Sequence, residues 1–139
     1  MEPTKSTFSE NWHRVAHNEI YLRPGVHMHR QYFRGEKWHI LQDPFNNEYF
    51  RVRPAAWEFL VRLRRGRTVE SVWKECLELD PENAPGQEEV IQLLSQLYLA
   101  NLLHCDASND SEALFKRYQR RRSQEIKNRL EGFVTPSNP

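Results

Sequence analysis

Three histidines carry the most recognisable chemistry in this chain. His27 and His29 lie two residues apart, a spacing that points both to one face of a strand, and His39 falls on the next extended segment. Three imidazoles meeting across a hairpin would resemble a zinc site. No cysteine or carboxylate at ligand spacing accompanies them, and a His-x-His pair on an exposed strand is ordinarily solvated. The reading is therefore that no metal is held. The chain also lacks a His-Glu-x-x-His run, a Gly-x-x-x-x-Gly-Lys loop and a Gly-x-Ser-x-Gly elbow. The acidic pair Glu88 and Glu89 suits the first turn of a helix, where carboxylates oppose the dipole without a catalytic role. The expectation is a protein that is not an enzyme and needs no cofactor.

Cations form the second constellation. Residues 116–129 hold seven Lys or Arg against one Glu, a net of +6 that leaves −5 on the rest of a chain whose total is +1. On a helix, Lys116, Arg117, Arg120 and Arg121 make a two-turn positive patch, continued by Arg122. A solvated helix face is the plainest reading of it. Contact with an anionic membrane surface comes next, worth roughly 1 kcal/mol per cation near the headgroups, with Phe115 and Tyr118 as interfacial rings. Nucleic-acid contact comes last. Two further cations, Arg51 and Arg53, lie on an extended segment where they can meet an acidic peptide.

The elements that must position these residues occupy the middle of the sequence. Residues 1–24 read as an irregular arm with apolar anchors Phe8, Trp12, Val15, Ile20 and Leu22. Segments 26–33, 38–42 and 48–52 alternate with period two and are separated by Arg34-Gly35-Glu36 and by Asp43-Pro44-Phe45-Asn46-Asn47, so three antiparallel strands are expected. Pro54 opens a helix to about residue 64, with Ala56, Phe59, Leu60 and Leu63 inward and Gly66 ending it. Thr68 caps a second helix bearing the stripe Val69, Val72, Trp73, Cys76 and Leu77. A third helix covers 87–103, apolar over more than one stripe, which implies neighbours on two sides. The polar stretch 106–111 reads as a linker. A basic amphipathic helix at 112–133 has only the thin stripe Phe115, Tyr118, Ile126, Leu130 and Phe133, and 134–139 read as a disordered tail.

The fold expectation is thus α+β and winged-helix-like: a three-stranded antiparallel sheet followed by three helices within 25–105, plus the basic helix. Cys76 and Cys105 sit in apolar patterning as small buried hydrophobes rather than as a disulfide. No apolar run reaches bilayer length and no secretion signal is present, so a cytoplasmic location, with membrane association through the basic helix, is expected.

Several segments together resemble the PqqD-like domain, which includes recognition elements for leader peptides of ribosomally made, modified peptides. They are Leu22-Arg23-Pro24, His27-Met28-His29-Arg30, Arg34-Gly35-Glu36-Lys37-Trp38-His39-Ile40-Leu41-Gln42-Asp43, Phe50-Arg51-Val52-Arg53-Pro54-Ala55-Ala56-Trp57, Gly66-Arg67-Thr68-Val69 and Glu89-Val90-Ile91-Gln92-Leu93-Leu94-Ser95-Gln96-Leu97. More closely, the chain is similar to the cytosolic N-terminal region of site-2-protease-like membrane zinc metallopeptidases. There a Phe-Ser-Glu-Asn-Trp start, matched by Phe8-Ser9-Glu10-Asn11-Trp12, precedes the domain, and a basic helix, matched by Leu114-Phe115-Lys116-Arg117-Tyr118-Gln119-Arg120-Arg121-Arg122, leads to the first membrane span. The protease's metal site and spans are absent from this sequence.

The resemblance implies a peptide or protein segment as partner, captured as an added strand. The receiving strand would be Glu48, Tyr49, Phe50, Arg51, Val52 with Arg53 following, and Gln87, Val90, Ile91, Leu94 and Tyr98 on the last body helix would line the adjoining groove. Two alternatives stand beside it: a cytosolic coupling module of a membrane zinc metallopeptidase or transporter, and a winged-helix nucleic-acid binder. The acidic body, without a cluster of cations on its helices, argues against the last. The sequence leaves the oligomeric state open.

Overall fold

The computed structural model describes residues 8–43, 45, 49–105 and 109–129. The architecture is α+β, with a three-stranded antiparallel sheet and four helices. The arm does not stay irregular. After a 3-10 turn at Trp12–Arg14, β1 (Ile20–Leu22) pairs antiparallel with β5 (Leu103–Cys105), a two-stranded sheet the sequence reading did not contain. Three-residue strands carry too little alternation to be read locally, and their pairing is fixed by a partner some eighty residues away.

The main sheet has the order β2 (His27–Phe33), β3 (Glu36–Gln42), β4 (Tyr49–Val52). Arg34 (φ 53°) and Gly35 (φ 80°) form a two-residue hairpin loop with both residues left-handed, the twist that continues right-handed strands. Every residue of β2 is exposed, so the hairpin stands out from the body like a wing. The sheet meets the body through Leu41 and Val52, which join the main core.

α1 (Pro54–Arg62) starts on Pro54 and buries Phe59 and Leu60. α2 (Val69–Leu79) is capped by Thr68, whose hydroxyl accepts the Ser71 N–H at 3.2 Å, and buries Val69, Val72, Trp73 and Cys76. Cys76 is a buried thiol outside any disulfide, and Cys105 is half-buried. α3 (Gln87–Leu99) begins where the Gly86 N–H donates to the Glu89 carboxylate at 2.9 Å. It stops four residues short of the expected end. Asn101 turns left-handed (φ 65°), and the Leu102 N–H reaches back to the Leu97 carbonyl while the Asn101 N–H bonds that of Tyr98. This Schellman closure releases Leu103 into β5.

α4 (Asn109–Arg129) departs most from the sequence reading. It begins inside the stretch expected to be a linker, and Leu114, Phe115 and Tyr118 are buried in the same core as the other helices. The arm bolts it down. Arg14 forms an ion pair with Asp110 (2.8 Å), the Asn18 amide donates to the Ser111 hydroxyl (2.7 Å), and the Asn11 amide donates to the Tyr118 phenol (3.2 Å). The phenol and the Ser9 hydroxyl both donate to Glu88 at the start of α3. Burial and the Glu88 carboxylate raise the Tyr118 phenol above its ordinary pKa. The expected tail, with Leu130 and Phe133, lies outside the described residues, as do residues 106–108.

Candidate peptide-binding edge

The hairpin fixes which backbone groups of β4 face outward. Phe33 and Glu36 flank a two-residue loop, so they are the pair that exchanges hydrogen bonds across the turn. Hydrogen-bonded and non-bonded pairs then alternate along an antiparallel ladder. On β3, Glu36, Trp38, Ile40 and Gln42 turn their N–H and C=O groups to β2, whereas Lys37, His39 and Leu41 turn theirs to β4. The register pairs His39 with Val52 and Leu41 with Phe50. Phe50 and Val52 are therefore consumed by the internal ladder, and the N–H and C=O groups of Tyr49 and Arg51 point away from β3. Among the described residues β4 has no strand on that side.

The same register sorts side chains into two faces. Phe50 (half-buried) and Val52 (buried) point inward with Leu41 and His39. Tyr49 and Arg51 point outward, with Ile40, His29 and Gln31 around an open surface depression of about 550 Å³ adjoining the strand.

 Ile40 is only 4% exposed yet stands apart from the main core, so the long side chains around it form a small cluster of their own on the outer face.

Arginines and rings dominate that face. The Arg51 guanidinium carbon lies 5.6 Å from the centre of the Phe33 ring and 5.9 Å from that of Trp38. Arg53 sits 5.0 Å over Trp38, and Arg34 lies 5.3 Å from Phe33. Such contacts orient a guanidinium while leaving its N–H edge available for an anion. The ion pairs among the described residues use Arg14, Arg62, Arg67, Lys74 and Lys116, and neither Arg51 nor Arg53 is among them. Phe33, Trp38 and Ile40 were missed by the sequence reading. The alternation of side chains within each strand was visible in it, but the register that brings these three to the face of Arg51 was not.

Beyond β4, Arg53 and Pro54 lead into a cleft of about 570 Å³ between α1, the end of α2 and the loop before α3. Cys76, Leu79, Ala84 and Pro85 give it an apolar lining, and Glu58 and Arg62 stand among its charged residues. The Cys76 thiol is pushed up in pKa by burial, as suits an inert core cysteine.

The structure separates the remaining candidate residues. Val90, Ile91 and Leu94 are fully buried, and Gln87 is buried with its side-chain Oε1 accepting the Ser9 N–H at 2.7 Å. Tyr98 is half-buried, its ring 5.3 Å from that of Phe115. Gln87, Val90, Ile91 and Leu94 do not line an open groove, because α4 and the arm pack along α3 and take up its apolar width, whereas Tyr98 borders a hollow of about 450 Å³ with Arg23 and His104, none of whose lining comes from β4. Glu48 lies outside the described residues. In the basic patch, Lys116, Arg117 and Arg120 are exposed on α4, while the side chains of Arg121 and Arg122 lie outside the described residues.

The three-imidazole arrangement is also corrected. His29 pairs with Ile40, so His39 points to the opposite face from His27 and His29. It stacks on Trp57 of α1 at 4.6 Å, and burial, reinforced by Lys37 and Arg30, lowers its pKa. Among the described residues no group of three potential ligands could hold a metal. No helix among them is long and apolar enough to cross a membrane. No family model, curated protein or solved structure matches the chain.

Proposed function

We propose that this chain is a non-catalytic peptide- or protein-binding domain of the PqqD-like kind, which captures an extended segment by strand addition on β4. One observation carries the reading: the outward N–H and C=O groups of Tyr49 and Arg51 have no strand beside them among the described residues. Two donors and two acceptors at strand spacing are what an added strand pairs with. The segment-by-segment resemblance supports the same reading. The binding surface differs from the expected one in that β4, its outer face and the cleft after Arg53 replace the buried residues of α3.

Hydrogen exchange on a peptide selected from a random nine-residue display library tests it. In the free protein the Tyr49 and Arg51 amides exchange readily while those of Phe50 and Val52 are held by the ladder. Binding protects Tyr49 and Arg51, giving an alternating signature. Selected peptides that bind without protecting those two amides would rule strand addition out.

A second reading, a coupling module for a membrane metallopeptidase or transporter, draws on α4. Its first half is anchored in the core while Lys116, Arg117 and Arg120 face solvent. Such a helix transmits its orientation to whatever its basic side meets. Cosedimentation with vesicles containing anionic lipid, weakened by Lys116→Glu and Arg120→Glu together, is the result this reading requires.

A further inference from the structure

Resting on strand addition at β4, we infer that the partner is a segment of alternating character, with carboxylates on its outer side and apolar residues between them. The ladder parity leads to this directly. A residue hydrogen-bonded opposite Arg51 shares the outer face with Arg51, and a residue two positions along, beside Arg53, shares it too. Its intervening neighbour points inward beside Val52 and the half-buried Phe50, next to the apolar lining of the 570 Å³ cleft. The outer face has Arg34, Arg51 and Arg53 against the single carboxylate of Glu36 among its described residues. Charge complementarity thus selects acid on one side of the partner, and burial selects apolar groups on the other.

A single-stranded nucleic acid fits less well. Its bases need open ring faces, and guanidinium groups already lie over Phe33 and Trp38. It also has no backbone pattern to satisfy the alternating donors and acceptors of Tyr49 and Arg51.

The test uses fluorescein-labelled nine-residue peptides with Glu at alternate positions and Val or Leu between, alongside versions carrying Gln or Lys in place of Glu. Anisotropy is read at low and high salt, with hydrogen exchange at Tyr49 and Arg51. The Glu peptide should bind about tenfold more tightly than the Lys peptide, and the gap should narrow as salt screens the pairs. Arg51→Glu should reverse the preference when Lys replaces Glu at one peptide position, and Arg51→Gln should erase it there without reversal. A Gln peptide that protects Tyr49 and Arg51 and binds as tightly as the Glu peptide overturns the acidic preference and leaves strand addition standing. Failure of every peptide, library-selected ones included, to protect those amides removes both. Rescue by Lys at every position, or tighter binding of oligothymidylate to the same edge, also overturns the inference.

Discussion

A proline scan of β4 separates its two kinds of backbone N–H. In Tyr49→Pro the lost N–H points away from β3, so no internal ladder bond breaks, and proline is tolerated on an edge strand whose N–H faces solvent. The cost to folding should be below about 1 kcal/mol. In Phe50→Pro the lost N–H belongs to the pair with Leu41, a residue with no exposed surface. An unsatisfied carbonyl there costs about 1–3 kcal/mol, and the half-buried ring is lost as well, so destabilisation of about 3 kcal/mol is expected. Affinity should follow a different order. Tyr49→Pro removes a donor that the partner's carbonyl would use, costing about 1–3 kcal/mol, or roughly 5- to 150-fold in Kd. Tyr49→Ala keeps that N–H while losing the ring and the 3.1 Å bond from the Gln42 amide, and so isolates the backbone contribution. Urea unfolding gives the stabilities, and calorimetric titration with a library-selected peptide gives the affinities. The reasoning is refuted if Tyr49→Pro destabilises as much as Phe50→Pro, or if it binds the peptide as well as Tyr49→Ala does.

Three further outcomes follow from the packing. Phe115→Ala should cost about 3–5 kcal/mol in urea unfolding, because the ring is fully buried between α4 and the body; a loss below 1 kcal/mol would make α4 an appendage after all. His39 favours its neutral form in the fold, so the unfolded chain takes up a proton first as pH falls below about 6.5. Stability contributed by neutral His39 is full above that pH and is lost as pH falls through the lower folded value. His39→Phe should therefore lose less stability than the parent between pH 7.5 and 5, and equal losses would contradict the burial argument. Asn101→Gly should leave stability within about 1 kcal/mol, whereas Asn101→Val, β-branched at a left-handed position, should lower the thermal midpoint measurably.

Much of the fold was legible because its signals are local. Pro54 at a helix start, Thr68 as a cap, Gly35 in a short connection between strands and the stripe from Val69 to Cys76 each act within a few residues. The end of α3 was misread for the same reason. Leu102 and Leu103 continue an apolar pattern, and only the left-handed turn at Asn101, secured by β5 pairing with β1, takes them out of the helix. For the candidate edge, the chemistry of Arg51 and Arg53 was visible, but the residues assigned to a groove on α3 were the ones whose apolar character reflected burial.

By itself the sequence determined the order and type of the main elements, the alternation of side chains along each main strand, and the concentration of positive charge after residue 115. These depend on spacing along one chain. Tertiary structure decided which backbone groups of β4 face away from β3, which rings meet Arg51 and Arg53, that His39 parts from His27 and His29, and that the arm and α4 belong to the core. Each of those depends on register or on contacts between residues far apart in sequence, such as Asn11 with Tyr118 and Arg14 with Asp110, whose closure no local pattern encodes.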